Sequence, residues 1–164
     1  MQARLWQTCL FAAVAVTSAG TALAQPSSAG VGTWKVNFAK SRAVTADKGP
    51  TSLNATITNE AAGAGVRCTV AVVSAADGSL RQWEFSGNYD GKDNAIKGNS
   101  QYGDIVALTR TDANTTRYIY KKGGTVTVTQ THVVSSDGKT MTISSTGTDI
   151  QGNPVNGVAV YDRQ

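Results

Sequence analysis

Apolar and polar residues alternate along most of this chain with the two-residue period of a half-buried β-strand. The alternation is clear at residues 66–72, again at 82–85, and again at 126–134. Valine and threonine, which favour strands, dominate these segments. No stretch has the sustained 3.6-residue period of an amphipathic helix. The pattern therefore predicts about ten short strands.

Glycine-containing turn signals separate the predicted strands. Asp77-Gly78 is typical of the type I′ turn of a two-residue hairpin, and Asp90-Gly91 and Asp137-Gly138 predict further turns. Consecutive short hairpins indicate an all-β fold, and we expect an antiparallel up-and-down β-barrel of about 8–10 strands. A β-sandwich is the alternative.

The first strand is predicted around Gly32-Thr33-Trp34-Lys35-Val36, where Trp34, Val36 and Phe38 occupy every second position. We expect Trp34 to plug one end of the closed sheet. Residues 37–50 carry scattered charges without a clear period, which predicts an irregular crossing with at most one helical turn.

The N-terminal residues have the pattern of a secretory leader. Arg4 precedes a mostly apolar run, and Ala22-Leu23-Ala24 supplies small residues at the positions that a signal peptidase requires. We therefore predict a signal peptide at 1–24, a flexible joint at 25–31 and a barrel domain at 32–164, in the periplasm or outside the cell. A membrane anchor is the alternative, but polar residues interrupt the run.

Composition limits the partners that we expect. The formal net charge is +4 at pH 7, but the charges are scattered, so no clustered basic face for nucleic acid is predicted. Of the two cysteines, only Cys68 would remain after cleavage, which excludes an intramolecular disulfide. We expect a monomer that is not an integral membrane protein and that holds no cofactor.

Two polar residues share a strand face with valines. Gln130 and His132 have the same parity as Val126, Val128 and Val134, so they are predicted to point inward. There they would form either a hydrogen-bonding pair for a ligand or an internal polar pair with its own partners.

Aromatic residues supply the other candidate ligand contacts. Trp83 and Phe85 share one face, extended by Arg81 and Tyr89, and form either a ligand wall or plain core. The same two interpretations apply to the remaining aromatic candidates, Tyr118 and Tyr120.

Arg110 is a candidate for holding an anion in the cavity. Its segment, residues 105–111, is apolar at both parities, and the sequence leaves the facing of residues 105–121 open. An exposed arginine at a strand end is the alternative.

Catalytic chemistry finds little support. His132 is the one histidine of the chain, and no G-x-S-x-G motif occurs. One histidine and one mature cysteine cannot form a usual zinc site. The acidic residues are mainly aspartates in predicted turns. We therefore expect a protein that is not an enzyme.

Short motifs at both ends resemble a known superfamily. Gly32-Thr33-Trp34-Lys35 resembles the first-strand Gly-x-Trp of lipocalin-like (calycin) proteins, particularly the fatty-acid-binding branch. The segment 158–163, with Tyr161, resembles that branch's last strand, and 137–141 resembles the preceding hairpin. The resemblance implies a barrel around a small apolar ligand. Ala159 stands where that branch has a carboxylate-binding arginine, and 37–50 is too short for its helical lid.

Three functions follow from this sequence. The first is a secreted or periplasmic lipocalin-like protein that binds a small apolar or amphipathic ligand in the barrel. The second is a cavity-less protein-interaction module, such as an inhibitor or envelope scaffold. Small residues expected inside suit either a cavity or a filled interior: Ala55, Cys68, Ala107, Gly157 and Ala159. The third, a small outer-membrane barrel, fits poorly because the outward stripes are threonine-rich.

Overall fold

The computed structural model describes residues 28–43, 52–75 and 77–164 of the chain. The predicted signal peptide at 1–24 and the part of the predicted crossing at 44–50 lie outside the described residues. Within the described ranges, no helix is long and apolar enough to cross a membrane. The regular structure there is a set of strands: β1 (Gly32–Val36), β2 (Arg42–Ala43), β3 (Ser52–Ala62), β4 (Gly65–Ser74), β5 (Leu80–Asn88), β6 (Asp90–Ala95), β7 (Lys97–Gly98), β8 (Ile105–Arg110), β9 (Thr115–Lys122), β10 (Thr125–Val134), β11 (Thr140–Gly147) and β12 (Gly157–Arg163).

These strands form one antiparallel sheet in the order β6-β8-β9-β10-β11-β12-β1-β3-β4-β5-β7, with β2 added beside β12. Neighbours in the sheet are mostly neighbours in sequence, so the connectivity is up-and-down. The sheet curls into a nearly closed barrel, which confirms the predicted fold class over the sandwich.

The two ends of this sheet order meet in one stretch of chain. β6 and β7 are separated only by Ile96, and they pair with β8 and β5 respectively. A Cβ built on Gly87 of β5 would lie 2.6 Å from atoms of Asn94 and Leu108, so the two sides of this gap are in close contact. This arrangement leaves little free sheet edge.

The first and last strands pair with each other. In the β1–β12 ladder, Trp34 lies opposite Arg163 and Val36 lies opposite Tyr161. β1 ends at Val36, so the alternation predicted to continue to Phe38 is wrong. Phe38 lies in a turn and is exposed, because the chain leaves the ladder after Asn37 donates its N–H to the carbonyl of Val160.

The predicted turn chemistry is partly wrong. A type I′ turn needs positive φ at both central residues, but no described residue other than glycine has a positive φ. The Asp77-Gly78 turn therefore is not type I′. Asp90-Gly91 is not a turn at all: it lies within β6 as a bulge, and the chain reverses one residue earlier, at Tyr89.

The interior of the barrel is filled by side chains. Alternate residues of the long strands point inward, as predicted, and pack into one cluster: Trp34, Ala55, Ile57, Cys68, Val70, Trp83, Phe85, Val106, Leu108, Tyr118, Tyr120, Val128, Val134, Met141, Ile143 and Tyr161. The prediction that Val126 points inward is wrong, because its side chain is 54% exposed. A bulge between Val126 and Val128 inserts one extra residue and turns the valine outward.

The two ends of the barrel have different covers. At one end, which we call the Trp34 end, lie the start of β1, the ends of β8 and β12, and the reversals at 63–64 and 89. At the opposite end, which we call the Tyr102 end, the 99–104 and 148–156 loops meet through a hydrogen bond from Ile150 N–H to the carbonyl of Gln101 (3.0 Å).

Candidate functional site

An open hollow of about 430 Å³ lies on the rim of the Trp34 end. We call it the rim hollow, and it is lined by Ala64, Asn88, Tyr89, Asp90 and Arg110. These residues come from the β3–β4 turn, the β5–β6 reversal and the last position of β8. The hollow therefore exists because three chain segments distant in sequence end at the same place on the barrel.

Arg110 forms one side of the rim hollow. It continues the inward face of β8, on which Val106 and Leu108 are fully buried. At the strand end this face reaches solvent, so Arg110 is half-buried. Its guanidinium carbon lies 4.2 Å from the centroid of the Tyr89 ring, a cation–π contact that holds the side chain in place. The pairing of β8 with β9 thus shows that Arg110 lies on the inward face of β8, which the sequence had left open.

Asp90 lies in the same lining and carries the opposite charge. The β6 bulge, with Gly91 at a φ of 76°, places this carboxylate at the rim. The backbone N–H of Lys92 donates to Asp90 Oδ1 (3.1 Å), and Lys92 Nζ lies 3.4 Å from Oδ2. The backbone hydrogen bond, followed by contacts with the Lys92 side chain, lowers the pKa of Asp90. The carboxylate is therefore charged at neutral pH.

An internal polar pair lies deeper in the barrel. His132 Nε2 is 3.2 Å from Gln130 Oε1, and Gln130 Nε2 donates to Ser145 Oγ (3.1 Å). Because a carboxamide oxygen only accepts, Nε2 of His132 carries the proton and Nδ1 is an acceptor. Within the described part of the chain, no hydrogen-bond partner meets this Nδ1.

His132 is buried against aromatic side chains. The Tyr118 ring stacks on it with centroids 4.1 Å apart, and Phe85 packs edge-on against Tyr118. Burial lowers the pKa of His132 to about 3. The imidazole is therefore neutral over the physiological range, so it cannot serve there as a charged ligand contact.

Aromatic side chains fill the other half of the interior. Tyr102 packs edge-on against Trp83 (6.0 Å between centroids) and at a tilt against Tyr120 (5.2 Å). Burial raises the pKa of Tyr102 and Tyr120. Trp83 Nε1 is buried and has no hydrogen-bond partner among the described residues. These rings occupy the volume that a ligand would need inside the barrel.

A clamp made by Arg163 closes the Trp34 end. Its guanidinium lies 4.1 Å above the Trp34 ring and donates to the carbonyls of Ala29 (2.8 Å), Val31 (2.7 Å) and Gly138 (2.6 Å). We call Arg163 with Trp34 the terminal clamp.

The stretch 28–31, predicted as part of a flexible joint, is held against the barrel. Trp34 Nε1 and Asn59 Nδ2 both donate to the carbonyl of Gly30, at 2.8 and 3.0 Å. Ser28 is buried, and Ala29 packs on the core. The structured part of the chain thus includes residues before Gly32.

A second open hollow, of about 550 Å³, has several charges that are already engaged. Its lining comprises Lys40, Asp137, Lys139, Thr140, Asp162, Arg163 and Gln164. Lys40 pairs with Asp162 (3.1 Å). Asp137 accepts hydrogen bonds from Ser135 Oγ and from the Lys139 backbone N–H. This hollow is better explained as the outside of the terminal clamp than as a ligand site.

The structure separates the sequence-predicted site residues into three places. Gln130, His132, Tyr118 and Phe85 adjoin one another in the middle of the barrel, and Trp83 and Tyr120 lie toward the Tyr102 end. Arg110 lies at the rim, in the same register row as His132, because both residues pair with Thr116 of β9. The structural residues Gly32, Trp34 and Tyr161 lie at the β1–β12 seam.

Several residues of the site were not predicted as such from the sequence. Asn88 and Asp90 line the rim hollow, and Arg163 forms the clamp. The Asp90-Gly91 pair was the available sequence signal for the rim hollow, but it predicted a turn. Nothing local in sequence links Arg163 to Trp34.

In the described ranges, no three His, Cys, Asp or Glu side chains are grouped so that they could hold a metal ion. Cys68 is a buried free thiol, and burial raises its pKa to about 12. A thiol with such a pKa is a poor nucleophile at neutral pH.

Comparison with known proteins gave no match: no protein-family model, no curated protein sequence and no solved structure is significantly similar to this chain.

Proposed function

We propose that this protein is a lipocalin-like binding protein that takes a small amphipathic molecule at the rim hollow, with the anionic group of the ligand at Arg110. One observation carries the proposal: an open hollow at the mouth of an otherwise filled barrel is lined by a guanidinium that is held on an aromatic ring. The lipocalin-like assignment rests on the Gly32-x-Trp34 motif and on the pairing of first and last strands.

The packed interior favours a ligand site outside the core. Binding inside the barrel would displace several large rings, each of which contributes about 2–3 kcal/mol through its burial. The rim hollow needs no such displacement, so it is the pre-formed site that ligand binding favours. The ligand is correspondingly small, because 430 Å³ holds a molecule of modest size.

Arg110 suits an anionic group for a chemical reason. A guanidinium presents five N–H donors in a planar fork, and this geometry matches the oxygens of a carboxylate or phosphate. Tyr89 fixes its plane, which lowers the entropic cost of ordering it on binding. A ligand of about a dozen non-hydrogen atoms would bind with roughly −4 kcal/mol, which corresponds to a Kd of about 1 mM.

The test is an amide NMR titration of the purified protein with 3-phenylpropionate. We expect shifts at Asn88, Tyr89 and Asp90 and little change at the opposite barrel end. Arg110→Gln should weaken binding about tenfold or more, because a charge-assisted hydrogen bond is lost. Absence of rim shifts with 3-phenylpropionate and with other small carboxylates of similar size would refute the proposal.

Arg117→Gln is the matched control. Arg117 lies on the neighbouring strand β9 at the outward parity, and it is exposed. The Arg117→Gln substitution changes the net charge by the same amount as Arg110→Gln, so a general charge effect would weaken binding equally in both variants. We expect the affinity of Arg117→Gln to stay within about twofold of wild type, which would place the effect at the rim hollow.

A protein-interaction module is the second candidate, and exposed apolar side chains at the Tyr102 end favour it. Leu80, Val126 and Ile150 are 62%, 54% and 44% exposed. Gln101 bonds to the segments that carry Leu80 and Ile150. Its side-chain Oε1 accepts a hydrogen bond from Arg81, which follows Leu80 in sequence (3.3 Å), and its backbone carbonyl accepts one from the N–H of Ile150 (3.0 Å). If these side chains form one contiguous apolar patch, that patch would mark a contact surface.

Site-specific photo-cross-linking in the producing cells tests the second candidate. A photoreactive residue at Val126 or Leu80 should capture one defined protein if this end is an interface. The same residue at Ser86, an exposed position on β5, is the control. Equal capture at all three positions would argue against an interface. The predicted leader at 1–24 would place either function in the periplasm or outside the cell.

A further inference from the structure

We propose that the rim hollow selects a zwitterion whose anionic and cationic groups lie close together, as they do in an α-amino acid. This inference rests on the proposed function and specifies its ligand class. The hollow is lined by charges of both signs, Arg110 and Asp90, which come from different strands. A simple acid would use only the first and would face the second as a like charge.

Asp90 is available to a ligand although Lys92 is close to it. The Lys92 side chain is 82% exposed, and its ammonium is 3.4 Å from Oδ2. An exposed ion pair of this type contributes little to stability, so a ligand ammonium replaces it at low cost. The backbone N–H of Lys92 holds Oδ1 in place independently of that side chain (3.1 Å). The acceptor is therefore positioned before the ligand arrives.

The remaining lining suits the rest of such a molecule. Asn88 is exposed at the end of β5 and offers both a donor and acceptor. Tyr89 offers an aromatic ring that is only half-buried, which an apolar or aromatic substituent can contact. A lining that combines charges of opposite sign with an aromatic ring matches an amino acid with an apolar side chain better than a fatty acid.

Three probes of nearly equal size test the inference. L-phenylalanine carries both charges, 3-phenylpropionate lacks the ammonium, and 2-phenylethylamine lacks the carboxylate. Amide NMR titrations of the purified protein should be made in a non-zwitterionic buffer. We expect L-phenylalanine to bind at least about tenfold more tightly than either analogue, because each analogue lacks one of the two charged groups that the rim hollow would bind.

Two variants test which charged residue of the rim hollow binds which charged group of the ligand. Asp90→Asn should abolish the preference for L-phenylalanine over 3-phenylpropionate and keep its preference over 2-phenylethylamine. Arg110→Gln should abolish the preference for L-phenylalanine over 2-phenylethylamine and keep its preference over 3-phenylpropionate. Asp104→Asn is the control, since Asp104 is an exposed aspartate paired with Lys122 (3.0 Å) at the other barrel end. It should leave all three affinities within about twofold of wild type.

The outcomes separate this inference from the proposed function. Binding of 3-phenylpropionate as tight as that of L-phenylalanine would overturn the zwitterion inference and leave an anion-binding rim hollow. Failure of all three probes to shift the rim resonances would overturn both. Loss of the ammonium preference in Asp104→Asn as well as in Asp90→Asn would also overturn the inference, because a distant charge would then have the same effect.

Discussion

The guanidinium of Arg163 lies 4.1 Å from the centroid of the Trp34 indole and directly opposite it in the β1–β12 ladder. The same side chain bonds three backbone carbonyls, at Ala29, Val31 and Gly138. One arginine therefore joins the N-terminal residues, the last strand and the β10–β11 turn. We therefore expect the integrity of this barrel end to depend on that pairing.

Trp34→Ala should lower the free energy of unfolding by about 3–5 kcal/mol, since it removes a fully buried indole from the core. Arg163→Gln should cost less, about 1–3 kcal/mol, through the lost hydrogen bonds and cation–π contact. Urea unfolding followed by tryptophan fluorescence measures both, because Trp83 remains in each variant. A Trp34→Ala protein as stable as wild type would contradict the role of the terminal clamp.

Gly32 has a φ of 133°, and a Cβ there would overlap Nη1 of Arg163. Gly32→Ala should therefore destabilise the protein by about 1–3 kcal/mol through strained backbone and a displaced clamp. In an Arg163→Gln background the overlap is gone, so the cost should fall by at least about 0.5 kcal/mol. A double-mutant cycle by urea unfolding checks this, and simple additivity would show that the glycine serves its own backbone only.

His132 should make stability fall as the pH drops below neutral. Its folded pKa is lowered to about 3 by burial, whereas the unfolded chain takes up the proton near pH 6.5. Between these values the unfolded state binds more protons, so stability is lost at up to about 1.4 kcal/mol per pH unit. Since the chain has one histidine, His132→Gln should flatten the profile between about pH 6.5 and 5. An unchanged slope in that range would contradict the buried neutral imidazole.

Cys68 should be inert in the folded protein, because burial keeps its pKa near 12 and leaves it 2% exposed. A Cys9→Ser variant isolates this thiol from the other cysteine. At pH 8 we expect reaction with an aromatic disulfide reagent only at the rate of global opening, and fast reaction in urea. Rapid labelling under native conditions would mean that the barrel opens locally at β4.

The sequence could predict most facing within single strands. Two-residue alternation placed Trp83 and Phe85 on one inward face, and the structure confirms this, because a pleat fixes the facing of every second residue. The sequence left the facing of residues 105–121 open, and the structure places Tyr118 and Tyr120 inside. The alternation failed where the backbone departs from the pleat. Val126 turned outward at a bulge, and no residue type there signals the extra position.

The rim hollow and the terminal clamp could not be predicted in the same way. Both join residues that are distant in sequence: Arg110 meets Tyr89 through the pairing of β6 with β8, and Arg163 meets Trp34 through that of β12 with β1. Local periodicity carries no information on which strands become neighbours. It therefore indicated the barrel but not the residues that the barrel brings together at its ends.

The pairing of β1 with β12 also bears on how the protein is made. Arg163 bonds to Val31, which precedes it by 132 residues, so a ribosome must synthesise nearly the whole domain before the ring can close. Long-range closure of this kind is slow. A chain that stays open throughout synthesis remains competent for translocation in an unfolded form, which suits the leader predicted at residues 1–24.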